Sequence, residues 1–581
     1  MSTSTPDPQR EHPISPLLVV GLDGATFDVI HPMVAAGKLP NLARMMERGE
    51  WAPLRSTVPP VTFPAWSSFM TGLEPGRHGM FDFTQKLAGS YRIRFVNATD
   101  RRGSSLFARV SRAGGRVLVL GVPATYPPEP VHGLLVPGFD APVSTGSDAA
   151  ATNDPDLYRR IERKAGAWMR PAMKESGGAS LERTLAHLLD RIERKTRFAL
   201  AGIEALRAEG SLDFMMVVFS ESDTVGHHFW RHHDPASPRH DPAADASARG
   251  GVEAIYRKLD EACGRLQRAF GDDSLCCVMS DHGMGGASRY VVHLNQYLKE
   301  CGLLARTSGR GPSIDRAARQ LRDALLRFVP TGLAQILFRR ARAAAARVES
   351  GARFGGFDWS QTRAFSEEAN TNPGVWINLR GREALGCVAP EDYERVRDQV
   401  IEALLAWRLP GGGPVIARAL RREDLYSGPF VARAPDIAVE LALDKGYGLS
   451  LVASRWEPAQ AASVSRLGDA ELAGGRGLGM NGTHRPDGIL LWSGANRTAS
   501  PSERASQAKP SILPEKLRGS LAGNLVDLGP TLLAAMGIEW EASDASSNDP
   551  SSPLQPPRQH RYSAEEEAIV AERLQALGYL E

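Results

Sequence analysis

Five short runs of this chain are continuously apolar: Leu17–Gly21, Arg116–Leu120, Phe214–Phe219, Leu275–Met279 and Ile489–Trp492. A strand with one wet face alternates apolar and polar residues. A run that is apolar throughout belongs to a strand covered on both faces, as in a parallel sheet. Between these runs, Leu181–Arg207 and Val252–Phe270 carry apolar residues at helical spacing, with charges on the opposite side. Strand and helix in alternation predict an α/β fold: a mainly parallel central sheet flanked by helices.

Ligands of such sheets bind at the carboxyl ends of the strands. After the first run comes Asp23, in VVGLDG. After Phe214–Phe219 come Asp223 and His227, in FSESDTVGHHFW, four residues apart and so on one side of a helical turn. After Leu275–Met279 come Asp281 and His282, in VMSDHGMG, and just before the last run stands His484, in NGTHRPDG. A single Asp after a strand is ordinarily a helix cap or a turn residue. Independent caps would also include Ser, Thr and Asn, so four ends carrying only Asp and His point to divalent metal ions. Three acids and three imidazoles suit two ions better than one. The nearby His228, His232, His233 and His240 read as surface residues.

A nucleophile is offered by STVPPVTFPAWSSFMTG, where Thr62 precedes Phe63-Pro64-Ala65-Trp66-Ser67. Proline fits the first turn of a helix, and a helix start presents N–H groups and positive charge to a phosphate. Thr62 alone would read as a helix cap. Beside metal ligands it reads as a hydroxyl whose pKa a divalent ion can lower.

Together, and in this order, these motifs resemble the alkaline phosphatase superfamily, nearest its type I phosphodiesterase/nucleotide pyrophosphatase branch. NLVDLGPTLLAAMGI at 524–538 resembles the end of that superfamily's core. The resemblance implies an alkaline-phosphatase-like sandwich. It implies one metal held by Asp223, His227 and His484, and another by Asp23, Asp281, His282 and the Thr62 oxygen. It further implies attack by Thr62 on phosphorus, a phosphothreonine intermediate, and its hydrolysis with net retention. The His/Asp donor set favours zinc, with manganese the other choice. The pattern departs at HGMFDFTQK, where Asp82 and Phe83 stand in place of an Asn that the nucleotide pyrophosphatase branch carries. No Arg of the chain matches the phosphate-binding Arg of the superfamily's monoesterases.

The expected activity is metal-dependent hydrolysis of a small-molecule phosphate ester. A phosphoryl transferase of the same superfamily, phosphoglycerate mutase-like, and a catalytically silent metal-binding regulator are the alternatives. A sulfatase is disfavoured because its Cys/Ser-x-Pro-x-Arg motif is absent.

The expected layout is a disordered tail at 1–15, a catalytic core at 16–300 and 480–540, an inserted cap at 301–479, a polar linker at 541–560, and a C-terminal segment at 561–581 holding the helix Ala564–Leu577. Within the cap, Ser313–Glu349 reads as an Arg/Ala/Leu-rich helix, Glu391–Trp407 as another, and the stretch 474–482 as a glycine-rich lead to His484. Trp230 and Trp376 read equally as pocket walls or as core. A net charge of +2 supplies no field for nucleic acid. Five cysteines without a CxxC pair supply no disulfide framework, and the polar N-terminal stretch has no apolar run for a signal or a membrane span. The expectation is a cytoplasmic protein without membrane insertion.

Overall fold

The structure, a computed structural model, describes residues 14–142, 148–168, 181–272, 274–307, 354, 356–368, 373–454, 462–472, 480–494, 523–540 and 560–577. The expected tail up to residue 13, the Ser313–Glu349 helix, most of the glycine-rich lead and nearly all of the linker lie outside these residues.

In chain order the strands are β1 (Leu17–Leu22), β2 (Glu50–Arg55), the hairpin β3 and β4 (Thr84–Lys86 and Ile93–Phe95), β5 (Val117–Val122), β6 (Gly133–Pro137), β7 (Phe214–Phe219), β8 (Leu275–Met279) and β9 (Gly283–Val292). They continue with β10 (Ala364–Phe365), β11 (Gly374–Ile377), β12 (Ile416–Arg421), β13 (Ile437–Leu441), β14 (Leu443–Asp444), β15 (Tyr447–Leu451), β16 (Val464–Arg466), β17 (Gly482–Arg485) and β18 (Asp487–Ser493).

The central sheet has seven strands in the order β2-β18-β8-β1-β7-β5-β6. All its pairings are parallel except those of β18, which runs antiparallel to both β8 and β2. The expected mainly parallel sheet is therefore present, with two strands, β2 and β6, that the apolar runs did not announce. Glu50–Arg55 is exposed at alternate positions and holds a proline, so it reads as an edge strand.

Alternate residues of β1 serve opposite faces. Leu18, Val20 and Leu22 pack with the helices Phe27–Ala35, Leu181–Ala208 and Ala246–Phe270. Leu17 and Val19 pack with Thr62–Thr71, Leu106–Arg112 and Leu525–Ala535. Burial on both faces is why the strands are apolar throughout. Cys276 and Cys277, side by side on β8, face opposite layers of this core. Polar residues fix where the helices begin. Asp245 accepts from the Ala248 N–H at 2.7 Å, and Thr26 accepts from the Asp28 N–H at 3.3 Å.

Residues 364–441 form a second, antiparallel sheet, β10-β11-β13-β12, covered by the helix Tyr393–Ala406. The next segments return to the core. β15 and β16 both pair with β9, and so does β17. The helix Ala564–Leu577 lies over Phe63, Phe83 and Phe139, against which Val570 and Leu574 are buried. No described helix is long and apolar enough to cross a membrane.

Candidate active site

The strand order explains why residues so distant in sequence meet. β1, β7 and β8 are adjacent and parallel, so Asp23, Asp223 and Asp281 leave the sheet at one edge. β18 runs the other way, so the residues before it, on β17, reach that same edge. This is how His484, at the start of a strand, joins residues that follow strand ends. Asp23 leads into Gly24, whose φ of 65° is left-handed. A side chain at Gly24 would meet Asp223 at 2.9–3.1 Å, backbone included. Glycine is required there by both conformation and space.

Asp223 sits in the first turn of the helix Glu221–His233, with His227 one turn on. β17 holds His484 opposite Met284 of β9. Thr62 is the first residue of its helix, with Val61 as the flanking cap residue and no side-chain cap. It is thus one position further in than a cap, and the first N–H groups of the helix have no partner within it.

The contacts converge. Thr62 Oγ1 lies 3.4 Å from His282 Nε2. His227 Nε2 lies 3.1 Å from His484 Nε2, and each is 3.4 Å from Asp223 Oδ1. His282 Nε2 lies 3.6 Å from Asp23 Oδ1 and 3.4 Å from Asp281 Oδ2. The rings of His282 and His484 stack with centroids 3.7 Å apart. Ligand atoms of Asp223, His227 and His484 lie within 4.8 Å of one another, as do those of Asp23, Asp223 and His282. Asp223 belongs to both groups. Asp281 stands beside the second, its Oδ1 accepting from the Gly24 N–H at 3.3 Å. The structure thus brings all seven sequence-predicted residues together.

The hydrogen bonds fix the tautomers. Nδ1 of His227, His282 and His484 faces the carbonyl of Gly482, Gly283 and Pro60, at 2.9, 3.1 and 2.9 Å. A carbonyl only accepts, so each Nδ1 carries a proton and donates it. In its neutral form each ring, protonated at Nδ1, turns an Nε2 lone pair toward the acids, which is the form that ligates metal. Asp23 Oδ1, Asp281 Oδ2 and both Asp223 oxygens are buried and take no hydrogen bond among the described residues. Buried acceptors facing lone pairs lack a positive partner, and a divalent cation fits that gap.

The groups also couple electrostatically: burial opposes protonation of His227, but the Asp223 carboxylate outweighs it and raises that ring. Burial, then repulsion from Asp281 and Asp223, raises the Asp23 carboxyl well above the ordinary range. Burial, then Asp223, raises Asp281. Burial, with His484 adding to it, lowers His282. Burial would raise Asp223 too, but His227 and His484 outweigh it and hold that carboxyl low.

Three supporting groups were not singled out from the sequence. Trp66 Nε1 donates to Asp23 Oδ2 at 3.3 Å, Ser222 Oγ donates to the Asp23 carbonyl at 2.6 Å, and the Pro60 carbonyl orients His484. Trp66 had a signal, since it lies four residues after Thr62 and so on the same helix side. The surface reading of the extra histidines needs one correction. His232 is buried, packed beside Phe229, because the helix Glu221–His233 is covered on that side by Ala246–Phe270. His228, His233 and His240 are part-exposed. Trp230 and Trp376 are both buried, and Trp376 lines a cleft beneath Lys86, whose Nζ lies 4.6 Å from its ring centre.

The sequence matches the family model for type I phosphodiesterase/nucleotide pyrophosphatase over residues 17–458. Comparison with curated proteins gives no match. Among solved structures the chain is similar to phosphonoacetate hydrolase from Sinorhizobium meliloti 1021 in complex with phosphonoformate. The identity is 14% and the TM-score 0.45, covering 90% of this chain and 96% of that one. It is similar also to human ectonucleotide pyrophosphatase/phosphodiesterase 5, at 13% identity and a TM-score of 0.44, covering 90% and 96%.

Proposed function

The chain belongs to the type I phosphodiesterase/nucleotide pyrophosphatase family and is a phosphoric ester hydrolase, and from that premise we propose that it cleaves phosphate esters through a phosphothreonine intermediate on Thr62, assisted by two divalent metal ions. The observation that carries the reading is the set of unpartnered carboxylate oxygens of Asp23, Asp223 and Asp281 opposite three Nε2 lone pairs, beside a hydroxyl at a helix start. Asp223, His227 and His484 would hold one ion. Asp23, Asp281, His282 and the Thr62 oxygen would hold the other, with Asp223 close to both. Zinc suits this donor set, and manganese would serve. Bound there, the ions supply positive charge that favours ionised Thr62 and neutralises the phosphate.

The chain's own groups do the rest. Thr62 Oγ1 attacks phosphorus in line while the ester oxygen leaves with its electron pair. The unpartnered N–H groups at the helix start stabilise the crowded oxygens as charge builds. Water then attacks the phosphothreonine, the P–O bond to Thr62 breaks, and the hydroxyl regains a proton. Two inversions leave the configuration at phosphorus unchanged.

The test is elemental analysis of metal on wild type and His484→Ala, with assays of an aryl phosphate diester and a monoester on the same samples. About two ions per chain, fewer in the variant, with turnover of either ester, is the expected result. Absence of stoichiometric metal and of turnover after metal addition would overturn the reading.

A further inference from the structure

Two cavities share a wall beside this site. The nearer is lined by Val58 and Pro59, on the loop that leads to Thr62, and by Asp82, Trp376, Tyr426 and Arg433. The farther is lined by Gln85, Arg94, Asp100, Arg433, His560 and Arg561. Gln85 and Arg433 border both, so the cavities meet across these two side chains.

The nearer cavity also holds Glu367 and Glu368 beside Asp82, and its Lys86 is paired with Glu383 at 2.7 Å. In the farther cavity Arg94 is cancelled by Asp100, which accepts two hydrogen bonds from it at 2.9 and 2.5 Å. Arg433 lies over the Phe430 ring, 4.3 Å from its centre. Neither Arg433 nor Arg561 makes an ion pair with a carboxylate among the described residues, although Asp100 lies within electrostatic reach of Arg433.

The chain on either side of Arg561 is also held in position. The carbonyl of His560 before it accepts from Asn97 Nδ2 at 2.7 Å and from Thr99 Oγ1 at 3.3 Å. The hydroxyl of Tyr562 after it donates to the Asp140 carbonyl at 3.0 Å. His560 Nε2 faces Glu566 at 3.6 Å, on the side of its own helix.

We propose that Arg433 and Arg561 recognise a second anionic group, a carboxylate or phosphate, at the far end of the substrate's leaving arm. The proposal rests on Thr62 being the reacting end. Arg561 borders only the farther cavity, so only an arm long enough to reach past Gln85 meets both guanidinium groups. Planar guanidinium forks bind carboxylate and phosphate oxygens two at a time.

The experiment compares methyl aryl phosphate diesters whose leaving phenol carries an alkyl arm, in a series of lengths, that ends in a hydroxyl or in a carboxylate. At one range of lengths we expect the carboxylate arm to have kcat/KM about tenfold higher, through KM, which is the size of one charge-assisted hydrogen bond. In Arg433→Ala and in Arg561→Ala that ratio should fall toward one, and Arg561→Lys should keep part of it. A ratio near one at every length in wild type, or a ratio unchanged in the variants, would overturn the proposal. If neither ester turns over, the reading of Thr62 fails separately. Calorimetric binding of the free phenol carrying the carboxylate arm then decides: weaker binding in Arg433→Ala/Arg561→Ala supports the anion site, and equal binding removes it. Free inorganic phosphate displacing the arm without itself being turned over would show that the pair takes any small anion of this chemistry.

Discussion

At the scale of single residues the site divides into ligating, reacting and orienting groups, and each fails differently when removed. Thr62→Ala deletes the proposed nucleophile and leaves the three acids and three imidazoles. Turnover should therefore fall by at least about a thousandfold, while metal content stays near wild type. Substantial activity in that variant would exclude the phosphothreonine route. Trp66→Phe keeps the ring and loses the N–H that reaches Asp23. Partners of this kind are worth about 10–100-fold in metal affinity, so competition with a chelator should show weaker binding and a smaller loss of kcat.

Ligand-type residues were legible because carboxylate and imidazole at four strand ends have few joint explanations. Orienting groups were not legible. A tryptophan or a proline carbonyl carries no chemical signature until the fold places it, and the peptide oxygens of Gly482, Gly283 and Pro60 have none at all. His232 misled because its neighbours are charged, whereas its burial is decided by a helix packed across it.

Among the elements, one close approach lies where β17 crosses the helix that carries Asp223 and His227. A Cβ on Gly482 would fall 2.4 Å from the Gly226 carbonyl oxygen, which is backbone and has nowhere to go. Gly482→Ala should then force β17 away from the helix. We expect a loss of about 1–3 kcal/mol in unfolding free energy, together with reduced metal content, because the Gly482 carbonyl orients His227 while the same strand carries His484. Full stability with normal metal content would show that the strand can shift without harm.

Elements with strong periodicity were readable from the chain. The strand Phe214–Phe219 and the helix Ala564–Leu577 have their expected limits, and Val252–Phe270 is the latter part of a helix that begins at Ala246. β2 and β6 were missed for a physical reason. Glu50–Arg55 has an exposed side, and Gly133–Pro137 is short and flanked by turn residues, so neither shows the unbroken apolar run of a covered strand.

Across the whole molecule the C-terminal segment is fastened to the core near a buried acid. Burial pushes the Asp140 carboxyl up to about 6, although the N–H groups of Tyr126 and Ala124 pull it the other way. The folded state then holds a proton that the unfolded chain releases near pH 4. Stability from this group should fall as pH rises from about 4 to about 6 and stay level above, by roughly 3 kcal/mol in all at about 1.4 per unit. Urea titrations of wild type and Asp140→Asn across that range should differ in slope in that sense. Parallel slopes would assign the dependence elsewhere.

The antiparallel strand β18 has a further consequence, which concerns the order in which the molecule comes into being. Arg55 and Asp487, bonded to each other, stand 432 positions apart. On the ribosome β2 emerges early and has no neighbour in the central sheet until β18 arrives, while β8 keeps a bare hydrogen-bonding edge for the same interval. Exposed edges of this sort are where growing chains pair wrongly. The same late segment carries His484, so an immature chain lacks one of the proposed ligands. On the proposed reading, closing the sheet and completing the site are one event, and turnover waits until β18 has paired with β2 and β8.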